Sequence, residues 1–219
     1  MTSGCDHPDI LTIVYADDCL VVVNKPAGLL AVPGRGPDKA DCLSLRVQQD
    51  FADALVVHRL DQATSGLMLM ARGADRQRAL SRQFELRQVH KIYLAVVHGL
   101  VIPDAGSIDL ALAADWPARP RQKVDTTIGK AALTHYRVLS RDVAQCTTRL
   151  ALEPITGRTH QLRVHLCAIG HPIVGDRLYG PQADLSVGRT VRLHLQAQQL
   201  ALHHPVGQHA LAWELAAEF

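Results

Sequence analysis

The sequence predicts an α+β fold, with a mixed, largely antiparallel sheet and flanking helices and loops, on three observations. Hairpin-like spacing occurs at both ends of the chain. Strands and helices interleave irregularly between them. No Gly-x-Gly-x-x-Gly or Gly-x-x-x-x-Gly-Lys-Ser/Thr run marks a doubly wound nucleotide fold. Ile10 to Tyr15 and Leu20 to Asn24 are rich in Val, Ile, Leu and Tyr and flank Ala16-Asp17-Asp18, so they read as an opening hairpin. Turn chemistry follows at Lys25-Pro26-Ala27-Gly28 and Pro33-Gly34-Arg35-Gly36. Leu43, Val47 and Phe51 then recur at helical spacing and predict a short amphipathic helix over Cys42 to Phe51.

Gly66 to Ala71 reads as a buried strand. Ala74 to Arg87, free of Pro and Gly, reads as a helix anchored by Leu80 and Phe84 with a basic outer face. Lys91 to His98 returns to strand, and Ala132 to Leu139 with Thr147 to Leu152 forms an antiparallel pair. Thr159 to Ile169 is helical, with Thr159 as N-cap and Gly170 as stop. Leu162, Leu166 and Ile169 share the buried side of that helix, and Arg163 falls off the stripe. His203-His204 falls in a late strand beside Pro205.

With 219 residues and 47% hydrophobic content the chain can bury a substantial core, expected as one domain over residues 1–219. Apolar runs are short, so no transmembrane helix is expected, and Met1 to Ile10 lacks the basic start and apolar centre of a secretory signal. The five cysteines, at positions 5, 19, 42, 146 and 167, form no CxxC pair and suit reduced thiols in the cytoplasm. The twelve histidines show no HExxH or Cys/His pair spacing, so no metal is expected. A net charge of +2 does not announce a polyanion partner, but its distribution is uneven. From Arg72 to Lys91, Arg72, Arg76, Arg78, Arg82, Arg87 and Lys91 face only Asp75 and Glu85. A solvated helix face and a phosphate-contacting stripe both fit that pattern.

The densest run of reactive side chains is Val57-His58-Arg59-Leu60-Asp61-Gln62-Ala63-Thr64-Ser65-Gly66, polar and placed where a buried strand begins. On residue types alone, His58 and Asp61 can equally be a satisfied structural pair and Thr64-Ser65-Gly66 an ordinary turn.

The run resembles the HRLDxxTSG signature of the RluA-type pseudouridine synthases, and the similarity covers most of the chain. It takes in Tyr15 to Asp18, Asn24 to Gly28, Lys91-Ile92-Tyr93, Pro154 to His165, and His171-Pro172-Ile173-Val174-Gly175-Asp176. The resemblance implies an RNA isomerase without cofactor or metal, in which Asp61 is the catalytic aspartate, Tyr93 the active-site tyrosine and Arg163 the basic partner of the aspartate. It also implies that Arg59 enters the space vacated by a flipped uridine, against the competing reading of Arg59 as a plain phosphate contact. His58, Arg158 and His160 join the expected RNA contacts beside the catalytic run. Arg76, Arg78, Arg82 and the cluster Arg119, Arg121 and Lys123 are expected to grip the RNA backbone.

Many members carry an S4-type RNA-binding module, for which the stretch ahead of Ile10 leaves no room, so target choice is expected within the catalytic domain. Asp115 to Val124 resembles the short dual-specificity subgroup, which modifies a tRNA anticodon loop and a 23S rRNA hairpin loop. Such stem-loops are the expected partners of a cytoplasmic monomer. The chemistry suits the residue types. An ionised carboxylate can add to sugar or base, or remove a sugar proton, and a guanidinium favours its charged form. Two rivals stand beside this reading. A metal-dependent hydrolase on His58, Asp61 and His160 lacks ligand spacing, and a catalytically dead RNA-binding module would not need Asp61, Tyr93 and Arg163 together.

Overall fold

The structure, a computed structural model, describes residues 11–36, 39–181 and 192–219. Met1 to Ile10, with the expected first residue of the opening strand and Cys5, lie outside the described residues. The strands are β1 (Thr12–Ala16), β2 (Leu20–Lys25), β3 (Ala54–Val56), β4 (Ser65–Arg72), β5 (His90–His98), β6 (Ala105–Asp109), β7 (Leu112–Ala114), β8 (Gln122–Val124), β9 (Leu133–Asp142), β10 (Thr147–Pro154), β11 (Leu195–His203) and β12 (Ala210–Glu214). The helices are α1 (Leu43–Asp50), α2 (Ala74–Glu85) and α3 (Gln161–Ala168).

A ten-stranded sheet runs β1-β2-β4-β11-β5-β10-β9-β6, with β12 added to β11 and β3 to β4, while β7 and β8 pair separately. Every pairing is antiparallel except β4 with β11, where Ser65 and Gly66 lie beside Gln196 and Ala197. The expected mixed, largely antiparallel sheet is therefore present. The opening hairpin turns at Asp17, whose Oδ1 accepts the Cys19 and Leu20 backbone N–H groups at 2.7 and 2.9 Å. A carboxylate at that position satisfies two donors that the turn would otherwise leave open.

Strand alternation divides the core into two faces. Met68 and Met70 of β4 join Val21, Val23, Leu43 and Val47 on one face, with α1 over them. Leu67, Leu69 and Ala71 point the other way, onto Leu80 and Phe84 of α2. Tyr93 of β5 belongs to the α1 face and continues it to a cluster of Ala95, Leu150, Leu152, Leu162 and Leu166 under α3. Thus α1 and α3 share one face of the sheet and α2 takes the opposite one.

One expectation about α3 needs correction. Thr159 is not its N-cap: the cap position is His160, in the left-handed region at φ 53° and without a side-chain cap bond. Gln161 instead ties down the chain leading into the helix, because its Oε1 accepts the Arg158 backbone N–H at 3.0 Å and the Thr156 hydroxyl at 2.7 Å. Arg163, expected off the apolar stripe, is itself buried. Residues Gln161 to Leu166 are all buried, so α3 is enclosed on every side and its polar members need internal partners.

Candidate active site

The run from His58 to Gly66 enters the site between two packed anchors, Leu60 in the α1 core and Ala63 against the α3 core. The turn between them closes with Thr64 N–H donating to Asp61 O at 3.1 Å. The β2–α1 loop clamps it: Gly28 N–H donates to Gln62 O at 2.8 Å, and the Gln62 amide returns a bond to Gly28 O at 2.9 Å. Lys25 secures both segments. Its buried Nζ donates to Pro26 O and Leu29 O, each at 2.8 Å, and to Gln62 O at 3.1 Å. Burial pushes this ammonium down to about 8, against the pull of Asp61 and Glu218 toward the charged form. Just after the turn, Gly66 has φ +108°, and a Cβ there would lie 2.3 Å from Ala197 O. Only glycine permits the close β4–β11 pairing that ends this run.

Arg163 approaches Asp61 from α3. Its Nε and Nη2 donate to the two carboxylate oxygens of Asp176, each at 2.7 Å, and Nη1 remains to face Asp61 Oδ2 at 3.4 Å. Arg163 is 5% exposed and Asp176 2%. Burial opposes ionisation of Asp176, but the guanidinium and the Leu178 and Tyr179 backbone N–H groups outweigh it and hold the carboxyl below its usual range. Burial likewise works against the Arg163 charge, and Asp176 reverses the effect. The fork is thus spent on Asp176, and Asp61 receives its one remaining edge. This leaves Asp61 beside a fixed positive charge yet partly exposed and able to react.

His160 forms a second approach, with Nε2 3.8 Å from Asp61 Oδ2. Its Nδ1 lies 2.8 Å from the Tyr179 hydroxyl, which also accepts the Gln122 N–H at 2.7 Å. His160 Nδ1 and the Tyr179 hydroxyl thus share a hydrogen bond, and Nε2 is the ring nitrogen turned toward Asp61. Burial and Arg163 disfavour imidazolium here while Asp61 favours it, and the pKa lies below the ordinary value.

Two connected cavities meet at Asp61. The larger, about 890 Å³, is lined by Arg59, Asp61, Pro120, Arg158, His160, Arg163, Arg177 and Arg192 among others. The smaller, about 110 Å³, adds Lys91, Tyr93 and Leu195 behind Asp61. Burial and the Asp61 carboxylate raise the Tyr93 pKa above that of a free phenol, so the ring presents a neutral hydroxyl. Among the described residues Arg59 makes no hydrogen bond or ion pair, and its guanidinium stands free at the junction of the two cavities.

The structure therefore brings together Asp61, Tyr93, Arg163, Arg59, Arg158 and His160. It does not bring His58 to the site. Its Nε2 accepts the Leu69 N–H at 2.9 Å and its ring stacks on Phe84 at 4.6 Å, on the α2 face. Burial, with Lys91 nearby, pushes its pKa down to about 3, so His58 is a neutral structural acceptor and the expectation of an RNA contact is corrected. Arg76, Arg78 and Arg82 are also absent from the cavity walls, because α2 packs on the opposite face of the sheet, and Arg78 pairs with Asp75.

Of the other basic cluster, Arg119 lies over the Trp116 ring, Arg121 over Tyr179, and Lys123 pairs with Asp125 at 3.1 Å. Sequence reasoning left Asp176 and Tyr179 without a role. Asp176 closes a segment that carried the resemblance, and Tyr179 follows it by three residues, but neither spacing indicates a contact with α3. Asp17, Cys19 and His204 could hold a metal ion, with ligand atoms within 4.8 Å of one another, but none lines the cavity. Among the described residues no helix is long and apolar enough to cross a membrane.

Comparison with known proteins agrees with this geometry. The RNA pseudouridylate synthase family profile matches residues 19–168. The Dual-specificity RNA pseudouridine synthase RluA of Yersinia pestis is 49% identical over 210 residues, 95% of this chain and 100% of that protein. The protein of the same name from Escherichia coli is 46% identical, over 95% of this chain and 94% of its own. Among solved structures, Human RNA Pseudouridylate Synthase Domain Containing 1 superposes with a TM-score of 0.78 at 29% identity, covering 99% of this chain and 86% of that one. Human RNA Pseudouridylate Synthase Domain Containing 4 gives 0.73 at 29% identity, covering 94% and 88%. With its α+β fold and an Asp61–Arg163 centre inside the matched segment, this chain is an isomerase that belongs to the RNA pseudouridylate synthase family.

Proposed function

We propose that this protein isomerises a uridine in two kinds of RNA, a tRNA anticodon loop and a 23S rRNA hairpin loop, after flipping the nucleotide into the cavity at Asp61. The observation that carries the reading is the position of Asp61, a carboxylate held against Arg163 where a large open cavity meets a small pocket backed by Tyr93. The reaction breaks the N1–C1′ bond, turns the uracil, makes a C5–C1′ bond, and loses a proton from C5 while N1 gains one, so atoms balance without cofactor or metal. Asp61 acts on the sugar or base, as a nucleophile or by removing a sugar proton. The double specificity draws support from the name shared by the relatives that align over nearly the whole chain. The four free cysteines among the described residues fit a cytoplasmic setting. The test is turnover of both stem-loops by the purified protein, with carbodiimide and primer-extension mapping of RNA from cells with and without the gene. Absence of product in both loops overturns the proposal.

Two residues sharpen it. Tyr93 stays protonated at neutral pH, so it acts as a stacking ring and as a hydroxyl that relays the C5 proton, not as a standing phenolate. Tyr93→Phe is expected to bind RNA normally and slow single-turnover product formation by about 10²-fold, the usual contribution of a positioned acid–base group. A wild-type rate would reduce Tyr93 to packing. Arg59, unpaired at the junction of the cavities, fits the side chain that fills the gap left by the uridine. Since unstacking costs a few kcal/mol, Arg59→Ala should lower the single-turnover rate by about tenfold or more, with a smaller loss of affinity. Stopped-flow fluorescence of a 2-aminopurine beside the target separates the steps, and wild-type flipping in the variant would leave Arg59 as a phosphate contact. The backbone grip falls on Arg158, Arg177 and Arg192 at the cavity and on Arg119, Arg121 and Lys123 beside it.

A further inference from the structure

Of the nine Phe, Tyr and Trp residues, eight are buried or half-buried and one, Trp116, is exposed, with 67% of its surface open. Its surroundings are ordered. Trp116 sits in the loop joining β7 to β8, which closes on itself through Asp115 N–H to Arg121 O at 3.0 Å, Ala118 N–H to Asp115 O at 3.1 Å and Arg121 N–H to Ala118 O at 3.0 Å. The Arg119 guanidinium lies over the indole at 3.2 Å from the ring centroid. One face is thus occupied by a cation, so the exposed area belongs to the other face and the ring edge. The same loop contributes Pro120 to the wall of the large cavity. It is also tied to the reacting groups, because Gln122 N–H binds the Tyr179 hydroxyl, and that hydroxyl binds His160 beside Asp61.

The neighbouring charges, Arg119, Arg121 and Lys123, are those that draw a nucleic acid backbone. An aromatic face beside such charges takes a nucleobase, because every base offers a flat face and stacking needs no particular hydrogen-bond pattern. Resting on the functional reading above, we infer that Trp116 is a stacking platform for an unpaired loop nucleobase flanking the target uridine, and so a specificity-determining residue for loops over duplexes. Arg119 holds the ring in place from behind and stays near the phosphate of the stacked nucleotide.

The test measures affinity, so it does not depend on turnover. Wild-type protein, Trp116→Ala and Trp116→Phe are titrated with a stem-loop RNA and with versions in which each loop base other than the target is removed in turn, leaving the sugar and phosphate. Trp116→Ala should bind the intact loop about tenfold or more weakly, in the range of one lost base stack, and Trp116→Phe should recover most of that loss. One abasic position should weaken wild-type binding to the same extent and leave nothing further for Trp116→Ala to lose. Wild-type affinity in Trp116→Ala, or an equal loss at every abasic position, overturns the inference. Failure of the functional reading looks different: the wild-type protein then makes no pseudouridine in any of these loops, whatever the stacking cycle gives.

Discussion

Asp61→Asn is expected to lose pseudouridine formation, with the single-turnover rate falling by at least about 10⁴-fold, as when a reacting group is removed from other covalent catalysts. The change is nearly isosteric, so shape is kept and only the charge goes. Stability should hardly move. Arg163 keeps its two short bonds to Asp176, and the bond lost is the longer one, at 3.4 Å to a carboxylate still partly open to solvent. RNA affinity should also be close to wild type, because the other arginines lining the cavity are untouched. Turnover is measured by quench-flow with product mapping, and stability by thermal denaturation of the same preparation. An Asn variant within tenfold of the wild-type rate would remove Asp61 from the chemistry. One that unfolds early would instead make Asp61 a structural partner of Arg163.

The outline of this site is legible in the sequence because the residues around Asp61 are local to it. A polar run ends where the apolar β4 begins, and the residues that support the turn, Gly28 and Lys25, stand in a neighbouring segment of turn composition. The β-strands are legible through alternation, since Met68 and Met70 face one way and Leu67 and Leu69 the other. What alternation cannot give is which face each helix takes. Charge alone marks Arg76, Arg78 and Arg82 as exposed, yet the sheet puts them on the far side from Asp61.

His58 fails for a related reason. It is three residues from Asp61 in the same run, but its backbone neighbour across the edge of β4 is Leu69, and that N–H claims its ring nitrogen. The support of Arg163 is what the pattern hides. A helix enclosed on all sides has no polar stripe, and the residue that makes burial of this charge tolerable, Asp176, lies thirteen residues on, after the helix has ended.

That last pairing carries the largest expected effect on the fold. Asp176→Ala removes both short bonds of a guanidinium that is 5% exposed and leaves a buried charge with one distant partner. Breaking such a pair from one side costs about 3–5 kcal/mol, because the remaining ion keeps its desolvation penalty. The same substitution strips the acceptor from the Leu178 and Tyr179 N–H groups, loosening the segment that positions His160 through Tyr179. Activity should therefore fall with stability, and the two are separated by a second change. Arg163→Met in the Asp176→Ala background replaces the orphaned charge with an apolar side chain of similar length. It should recover much of the melting temperature and none of the activity, since Asp61 then faces no cation.

The pH dependence has a definite sign. Asp176 is held below the ordinary carboxylate value of 3.8, so its contribution is full above that value and lost as pH falls through the lower folded one. Wild-type protein should lose stability steeply below about pH 4, and the Asp176→Ala protein, already without this contribution, should show a shallower acid limb. Thermal melts from pH 3 to 7 on the wild type, the single variant and the double variant decide the matter. A double variant no more stable than Asp176→Ala would mean that the loosened loop, and not the unpaired arginine, sets the cost.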